Sequence, residues 1–582
     1  MEIIDYLIIA VYLIISISIA LYYSKRAGKD TNEFFLSGRN LPWYLAGISM
    51  VATTFAADTP LAVTELVAKD GIAGNWLWWN FAFGGILTVF FFARLWRRAG
   101  IVTEVEFAEL RYSGKPARFL RGFRALYLGL FMNVIIMGWV NKALATILTG
   151  LFGIPESQVY FFVFACMLFV AFYSALSGLW GVVITDAFQF VIAMTGCIIL
   201  AILVVNSPDV GGISGMQEKL PEFAFKFFPT ISDVGSMGGA FALTVASFLA
   251  YVGIIWWASW YPGAEPGGGG YVAQRMMSAK DEKHSLFATL FFQIAHYAIR
   301  PWPWIIVALC SLILYPELSG EEKGIGYIYA IRDYLPAGLK GMLVAAFFAA
   351  YMSTIATQLN WGASYLINDY YRRFLNKNKD EKHYVKSSRI ATMLLMIVSV
   401  IVTLLITRIS GAWEFIIECG AGVGLVLILR WFWWRINAWS EISAMITPFI
   451  IYPIITNLGI EFPDTLLILV PSTTIIWLLV TFLTPPTDEA VLFSFYKKIH
   501  PGGFLWKKVY SKLPGIKSDG NFLRMFINWL FGVLLVYSIL FGTGKLIFGY
   551  YIEFIVYLLA AIVSIYIIYK NLNSIGWKSL VE

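Results

Sequence analysis

The stretch "AAYMSTIATQLNW", Ala349 to Trp361, decides how the chain is read. It lies inside "GMLVAAFFAAYMSTIATQLNWGASYLI", an apolar run long enough to cross a bilayer at about 20 residues per span. Yet Ser353, Thr354, Thr357, Gln358 and Asn360 fall near its middle. Ala350, Ser353 and Thr354 stand at i, i+3 and i+4 and so share one helix face. Hydroxyls supply hard oxygens without adding charge, which suits a small monovalent cation that must also leave; carbonyls freed by an unwound helix complete such a shell. The competing reading is that each Ser or Thr bonds back to its own helix.

The rest of the chain gives that stretch its setting. Of 582 residues, 59% are hydrophobic and only 14% charged, so this is a polytopic membrane protein. About fifteen long apolar spans are expected, and their continuity excludes a β-barrel of short alternating strands. The first, within 1–28, begins with acids and is too long for a cleaved signal, so it is read as a retained helix. Lys and Arg crowd into loops on one side, among them "RLWRRAG", "ELRYSGKPARFLRGFR" and "RRFLNKNKDEKHYVKSSR". The positive-inside rule makes that side cytoplasmic, with the N-terminus outside and the C-terminus inside. The net charge of +7 is thus a topology signal, and no nucleic-acid partner is expected. The four cysteines lie within spans without paired spacing and read as packing residues. His296, the one histidine inside a span, reads as structural.

Two spans are interrupted. One reads "LPWYLAGISMVATTFAADTPLAVTEL", with Thr53, Thr54, Asp58, Thr59 and Pro60 at its centre. The other, starting near 240, reads "LTVASFLAYVGIIWWASWYPGAEPGGGGYVAQR", where Pro262 breaks the helix and a glycine run follows. Irregular backbone at membrane depth survives only where it is buried in protein or lines a cavity. If the first span is an extra, the next ten form two sets of five, each opening with an interrupted helix, the arrangement that points to a transporter's binding site. Asp186, in "SGLWGVVITDAFQF", is a carboxylate inside a span and adds to the case for an ion path.

At these residues the sequence resembles the sodium:solute symporter family, which includes bacterial proline, galactose and sialic-acid transporters and the sodium/glucose cotransporters. The matches run in order: "SGRNLPW" (37–43), "VATTFAAD" (51–58), "SGLWGVVITDAFQ" (177–189), "QRMMSAK" (274–280) and "AAYMSTIATQLN" (349–360). The resemblance covers roughly 1–435. It implies an all-α LeuT-type five-plus-five inverted repeat at 39–435, an extra N-terminal helix at 1–28, and about four accessory helices at 436–582 with a basic loop at 485–522. It implies no cofactor, with Na+ as the coupling ion and sole metal. Its sodium ligands map to the carbonyls of Ala52, Phe55 and Ala350 and the side chains of Ser353 and Thr354. A second sodium site of some members maps to Asp186, Ser353 and Thr357, but Ala356 stands where another hydroxyl is expected. Tyr261 matches a tyrosine that closes the inner side of the substrate site. The sugar-binding Gln and Glu of relatives fall near Thr59 and Trp78, neither of which does that job.

The expected activity is sodium-driven import, across the plasma (inner) membrane, of a small polar solute, sugar-like or carboxylate-bearing. Solute contacts are sought among Asp58, Thr59, Trp78, Lys142, Trp257, Tyr261 and Arg300. Lys142 and Arg300 are the two cations inside spans, and each needs a partner, Asp58 and Glu65 being candidates for Arg300. The expected state is a monomer or weak homo-oligomer. Proton coupling is the alternative within the same fold, and a transporter-derived sensor a further one. An enzyme is not expected, since no nucleophile–base pair or metal cluster is found. The stretch "FYKKIHPGGFLWKKVYSK" suits either a membrane surface or a plain connecting loop.

Overall fold

The protein is described by a computed structural model over residues 1–228, 245–318, 320–406, 409–460, 462–513 and 521–576. A leading helix α1 (Ile3–Ala27) precedes a broken pair, α2 (Trp43–Thr54) and α3 (Thr59–Asp70), bent by 59°. Then come α4 (Ile72–Ala99), α5 (Gly114–Phe152), α6 (Glu156–Leu176) and α7 (Gly178–Val205). The second set opens with α8 (Phe248–Ala258) and α9 (Gly270–Ser278), also separated by irregular chain. It continues through α10 (Glu282–Leu314), α11 (Leu339–Leu375), α12 (Glu381–Thr403) and a pair bent by 46°, α13 (Ala412–Cys419) and α14 (Val423–Phe432). Four further helices follow: α15 (Ala438–Asn457), α16 (Asp464–Leu483), α17 (Phe522–Ile547) and α18 (Tyr551–Ile575).

Among the described residues, 12 helices are long and apolar enough to span, and the two bent pairs bring the number to 14. The remaining expected span, 240–262, begins on residues outside the described set, and its described part is the shorter α8.

Local chemistry accounts for the breaks. After α2 the chain leaves helical geometry at Phe55 (φ −93°, ψ 77°), and α3 restarts with Pro60 in its first turn, where the missing N–H would be unpaired anyway. After α8, Ser259 is extended and Pro262 is followed by Gly263, Gly267 and Gly268, all at φ near +80°. That region suits glycine alone among common residues. The two repeats meet where the start of α2 lies beside the end of α9: Leu41 N–H donates to Ser278 O (3.1 Å) and Lys280 N–H to Leu41 O (2.9 Å).

The accessory part is docked onto the core. Tyr537 on α17 donates to Trp79 O (2.9 Å), and Trp529 Nε1 donates to Phe83 O (2.9 Å). The described part of the 485–522 segment, 485–513, packs on the core. Its Phe495, Tyr496 and Trp506 are fully buried, Trp506 Nε1 donates to Trp431 O (2.8 Å), and the Arg111 guanidinium lies 4.9 Å over the Trp506 ring.

Candidate functional site

At the carboxyl end of α2, the negative end of the helix dipole, Phe55 N–H bonds Val51 O (3.0 Å) and Ala52 O (3.1 Å), and the carbonyls beyond them are past the last helical donor. The hydroxyl face of α11 meets it there. Thr354 Oγ1 donates to Thr53 O (2.9 Å) across the two elements and is 3.1 Å from Ala350 O on its own helix. The expected sodium ligands Ala52, Phe55, Ala350, Ser353 and Thr354 therefore stand around one junction. All offer neutral oxygens, and all are buried. The donor set fits a small cation.

One helical turn away lies a polar cluster centred on Asp186 of α7, which is fully buried. Its carboxylate accepts from Ser353 Oγ (2.6 Å) and Ser49 Oγ (2.5 Å). Arg275 of α9 approaches Asp186 Oδ2 to 3.8 Å and donates to Thr357 Oγ1 (2.7 Å) and Ser49 Oγ (3.2 Å). Thr357 Oγ1 is also 3.0 Å from Thr53 Oγ1. Asp186, Ser353 and Thr357 thus lie in one cluster, around a guanidinium that sequence reasoning had not assigned there.

Beside the α2 break lies a cavity of about 100 Å³. Asp58, Thr59, Trp78, Tyr261 and Arg300 of the expected solute residues line it. Arg300 Nη1 donates to Val51 O (3.1 Å) and Thr54 Oγ1 (3.2 Å), and its guanidinium lies 5.2 Å over Trp304. No described ion pair joins it to Asp58, whose Oδ1 is buried with no hydrogen-bond partner among the described residues. Tyr261 stacks on Phe81 with ring centres 5.3 Å apart. Two expected residues are elsewhere. Lys142 donates to Tyr160 Oη (3.0 Å) outside the cavity lining, and the Trp257 indole donates to Gly253 O (2.6 Å) one turn back on its own helix.

Several lining residues were not singled out for this role. His296 Nδ1 is 2.9 Å from Thr54 Oγ1, and Gln358 contributes a buried Oε1 without a hydrogen-bond partner among the described residues. Tyr271, Tyr297, Trp139 and Trp413 complete an aromatic wall. A signal existed for His296, which stands at i−4 from Arg300 and so shares its helix face. None existed for Trp413, which a distant helix supplies.

Comparison with known proteins places this geometry. The model of the family described as "Sodium:solute symporter family" matches residues 34–447. The chain is 25% identical over 515 residues to the sodium/glucose cotransporter of Vibrio parahaemolyticus, spanning 84% of this chain and 91% of that protein. It is 23% identical over 479 residues to a sodium/mannose cotransporter of Bos taurus, spanning 75% and 76% of the two. Sodium-coupled monocarboxylate transporter 2 of Homo sapiens is 26% identical over 381 residues, 63% of this chain and 57% of that one. A solved structure of a Na+-coupled sialic acid symporter, substrate-bound and outward-open, aligns with a TM-score of 0.67 at 21% identity, covering 84% of this chain and 99% of that one. The fold is therefore the LeuT-type arrangement of two five-helix repeats in an integral membrane protein. With the family model spanning most of the chain and the motif residues gathered at the two breaks, the chain belongs to the sodium:solute symporter family.

Proposed function

We propose that the protein imports a small polar organic solute, sugar-like or carboxylate-bearing, using one sodium ion held by the carbonyls of Ala52, Phe55 and Ala350 and the hydroxyls of Ser353 and Thr354. The observation that carries the reading is the Thr354–Thr53 contact: it puts the hydroxyl face of α11 on the open end of α2, beside a cavity that the same Thr354 lines. Sodium and solute sites that share a residue and a helix break give a direct route for coupling, because ordering the break for one ligand prepares it for the other. The cavity's chemistry suits the solute class. Aromatic walls at Trp78, Phe81 and Tyr261 stack on apolar faces, while Asp58 accepts and Arg300 donates hydrogen bonds. The proposed solute set leaves out Lys142 and Trp257, which are not among the cavity-lining residues.

Energetically, about 2.3 kcal/mol per charge per 100 mV is available, so one sodium supports roughly fifty-fold accumulation of an uncharged solute at that voltage. The crowding of Lys and Arg on one side supports a cytoplasmic placement for it, with the N-terminus outside. The experiment is a ligand screen on the purified chain, with melting temperature read in sodium and in potassium against sugars and monocarboxylates. A sodium-specific rise, increased further by one solute class, is the expected result. Equal melting in the two salts across the sodium titration refutes the sodium site.

A further inference from the structure

The run "PGAEPGGGG", 262–270, fills the gap between α8 and α9, and a carboxylate is sealed inside it. Glu265 is only 3% exposed, and neither of its carboxyl oxygens has a hydrogen-bond partner among the described residues. Its nearest charged neighbour is another acid. Glu104, 1% exposed, accepts from the backbone N–H of Gly270 and pairs with Arg124 Nη2 at 2.7 Å. The two carboxylates flank the first residues of α9: a Cβ built on Gly270 would lie 2.5 Å from Glu265 Oε1, and one on Gly269 would lie 2.7 Å from Glu104 Oε2. The glycines leave the space that both acids occupy. The other titratable groups facing Glu265 are phenols, Tyr271, Tyr297 and Tyr365. Arg124 is committed to Glu104 and Glu441, and Arg300 to the α2 break.

Glu104 and Glu441 share the guanidiniums of Arg124 and Arg430, and none of the described ion pairs reaches Glu265, so a buried charge there is the costly one. Glu104 has the guanidinium and the N–H at the positive end of α9, so it keeps its charge. Glu265 has no guanidinium partner, only the nearby backbone N–H groups of Gly263 and of its own residue, and a neutral carboxyl is the form its surroundings accept. We propose that Glu265 is a proton-binding site of the transport cycle: it takes one proton from solution, as carboxylate plus proton giving carboxylic acid, in the closed arrangement of the α8–α9 break. It releases that proton to water when α9 moves and the break opens toward the basic side. This goes beyond sodium coupling and uses none of the sodium ligands, so the two readings fail separately. A metal cation is the rival occupant; it is disfavoured because among the described residues no group of three or more His, Cys, Asp or Glu gathers there.

The test uses the full chain in lipid nanodiscs. Infrared spectra at neutral pH are expected to show the C=O stretch of a buried neutral carboxyl that is diminished in Glu265→Gln. The same band should be unmoved by saturating calcium. The second measurement is the labelling rate of Ile136→Cys, a cavity-lining position, from the basic side. Divided at each pH by the rate of a fully exposed cysteine, which removes the thiol's own ionisation, this rate is expected to rise as pH is raised, and to lose that pH dependence when Glu265→Gln is added. The amide imitates the neutral acid in shape, so Glu265→Gln is expected to fold with its sodium-dependent melting shift unchanged. Full retention of the carboxyl band in Glu265→Gln overturns the proposal, as does its loss on adding calcium. A labelling rate in Glu265→Gln that, so divided, still follows pH overturns the link to opening.

Discussion

Thr354→Ala removes one oxygen from the proposed sodium shell and little else. The hydroxyl sits between two carbonyls, Thr53 O at 2.9 Å and Ala350 O at 3.1 Å, which take its proton and leave its lone pairs for a cation. Without sodium the loss is that of an ordinary neutral hydrogen bond, about 0.5–1.5 kcal/mol. With sodium the lost partner is a charge, and a contact of that kind is worth about 1.5–3 kcal/mol. The sodium dissociation constant should rise about 10- to 150-fold. The assay is a melting-temperature titration of purified protein with sodium at constant ionic strength, potassium making up the balance. At sodium a hundred times its dissociation constant the wild type gains about 2.7 kcal/mol, whereas a variant weakened a hundredfold gains only about 0.4 kcal/mol at the same concentration. Thr354→Ser keeps the oxygen and should restore the titration midpoint to within a few fold of wild type. An unchanged midpoint in Thr354→Ala refutes the assignment, whatever happens to stability in potassium.

Ser353→Ala should also raise the sodium midpoint about tenfold or more, and should cost stability in potassium besides, because Asp186 loses a 2.6 Å donor. Arg300→Gln should weaken solute binding about tenfold or more while shifting the sodium midpoint less; equal losses in the two titrations would assign Arg300 to holding the α2 break alone. Gly270→Ala should lower the melting temperature, since φ is +53° there and the new Cβ meets Glu265 Oε1 at 2.5 Å; the left-handed backbone alone costs about 1–2 kcal/mol. Gly153→Ala, at φ +65° with open space, is the control for the backbone part. Lys379→Cys, exposed in the basic 376–380 turn, should resist impermeant labelling from outside intact cells, and ready labelling there would invert the topology.

The parts legible in the sequence are those where a residue type has few other uses. Pro60 and Pro262 announce breaks because a missing N–H and a ring clash act locally, and the structure puts both at helix interruptions. Ser353 and Thr354 announce a polar face because helical spacing is fixed, and the face indeed meets the break. What a side chain reaches across helices is not local. Lys142 and Arg300 carry the same signal, a cation in an apolar span, yet one reaches Tyr160 and the other the cavity wall. Arg275 sat in a quoted motif without a role, since only the approach of α9 to α7 reveals its 3.8 Å distance from Asp186. The aromatic cluster at 495–506 reads equally well as a membrane-surface segment, because burial against Trp431 and against lipid headgroups asks for the same residues.

Arg275 also bears on how many ions the cycle uses. A second sodium at Asp186, Ser353 and Thr357 would enter a cluster whose carboxylate already has a guanidinium at 3.8 Å and two hydroxyl donors. Thr357 Oγ1 accepts from the same guanidinium at 2.7 Å, and Ala356 brings no oxygen where another hydroxyl would be needed. Placing a further cation there would set two positive charges against one buried negative charge, the imbalance that low dielectric penalises most. The first site differs in that its oxygens are neutral and the end of α2 supplies a favourable potential, against which the Arg300 guanidinium bonded to Val51 O is the nearby opposing charge. The asymmetry supports the single-sodium proposal, which for an uncharged solute caps the electrical part of accumulation at roughly fifty-fold for 100 mV. An added proton at Glu265 would raise that ceiling without any second sodium, through a carboxyl inside the α8–α9 gap. The two breaks would then divide the work, α2 and α3 with α11 holding the ion that drives binding, and the α8–α9 gap holding the proton whose release accompanies opening.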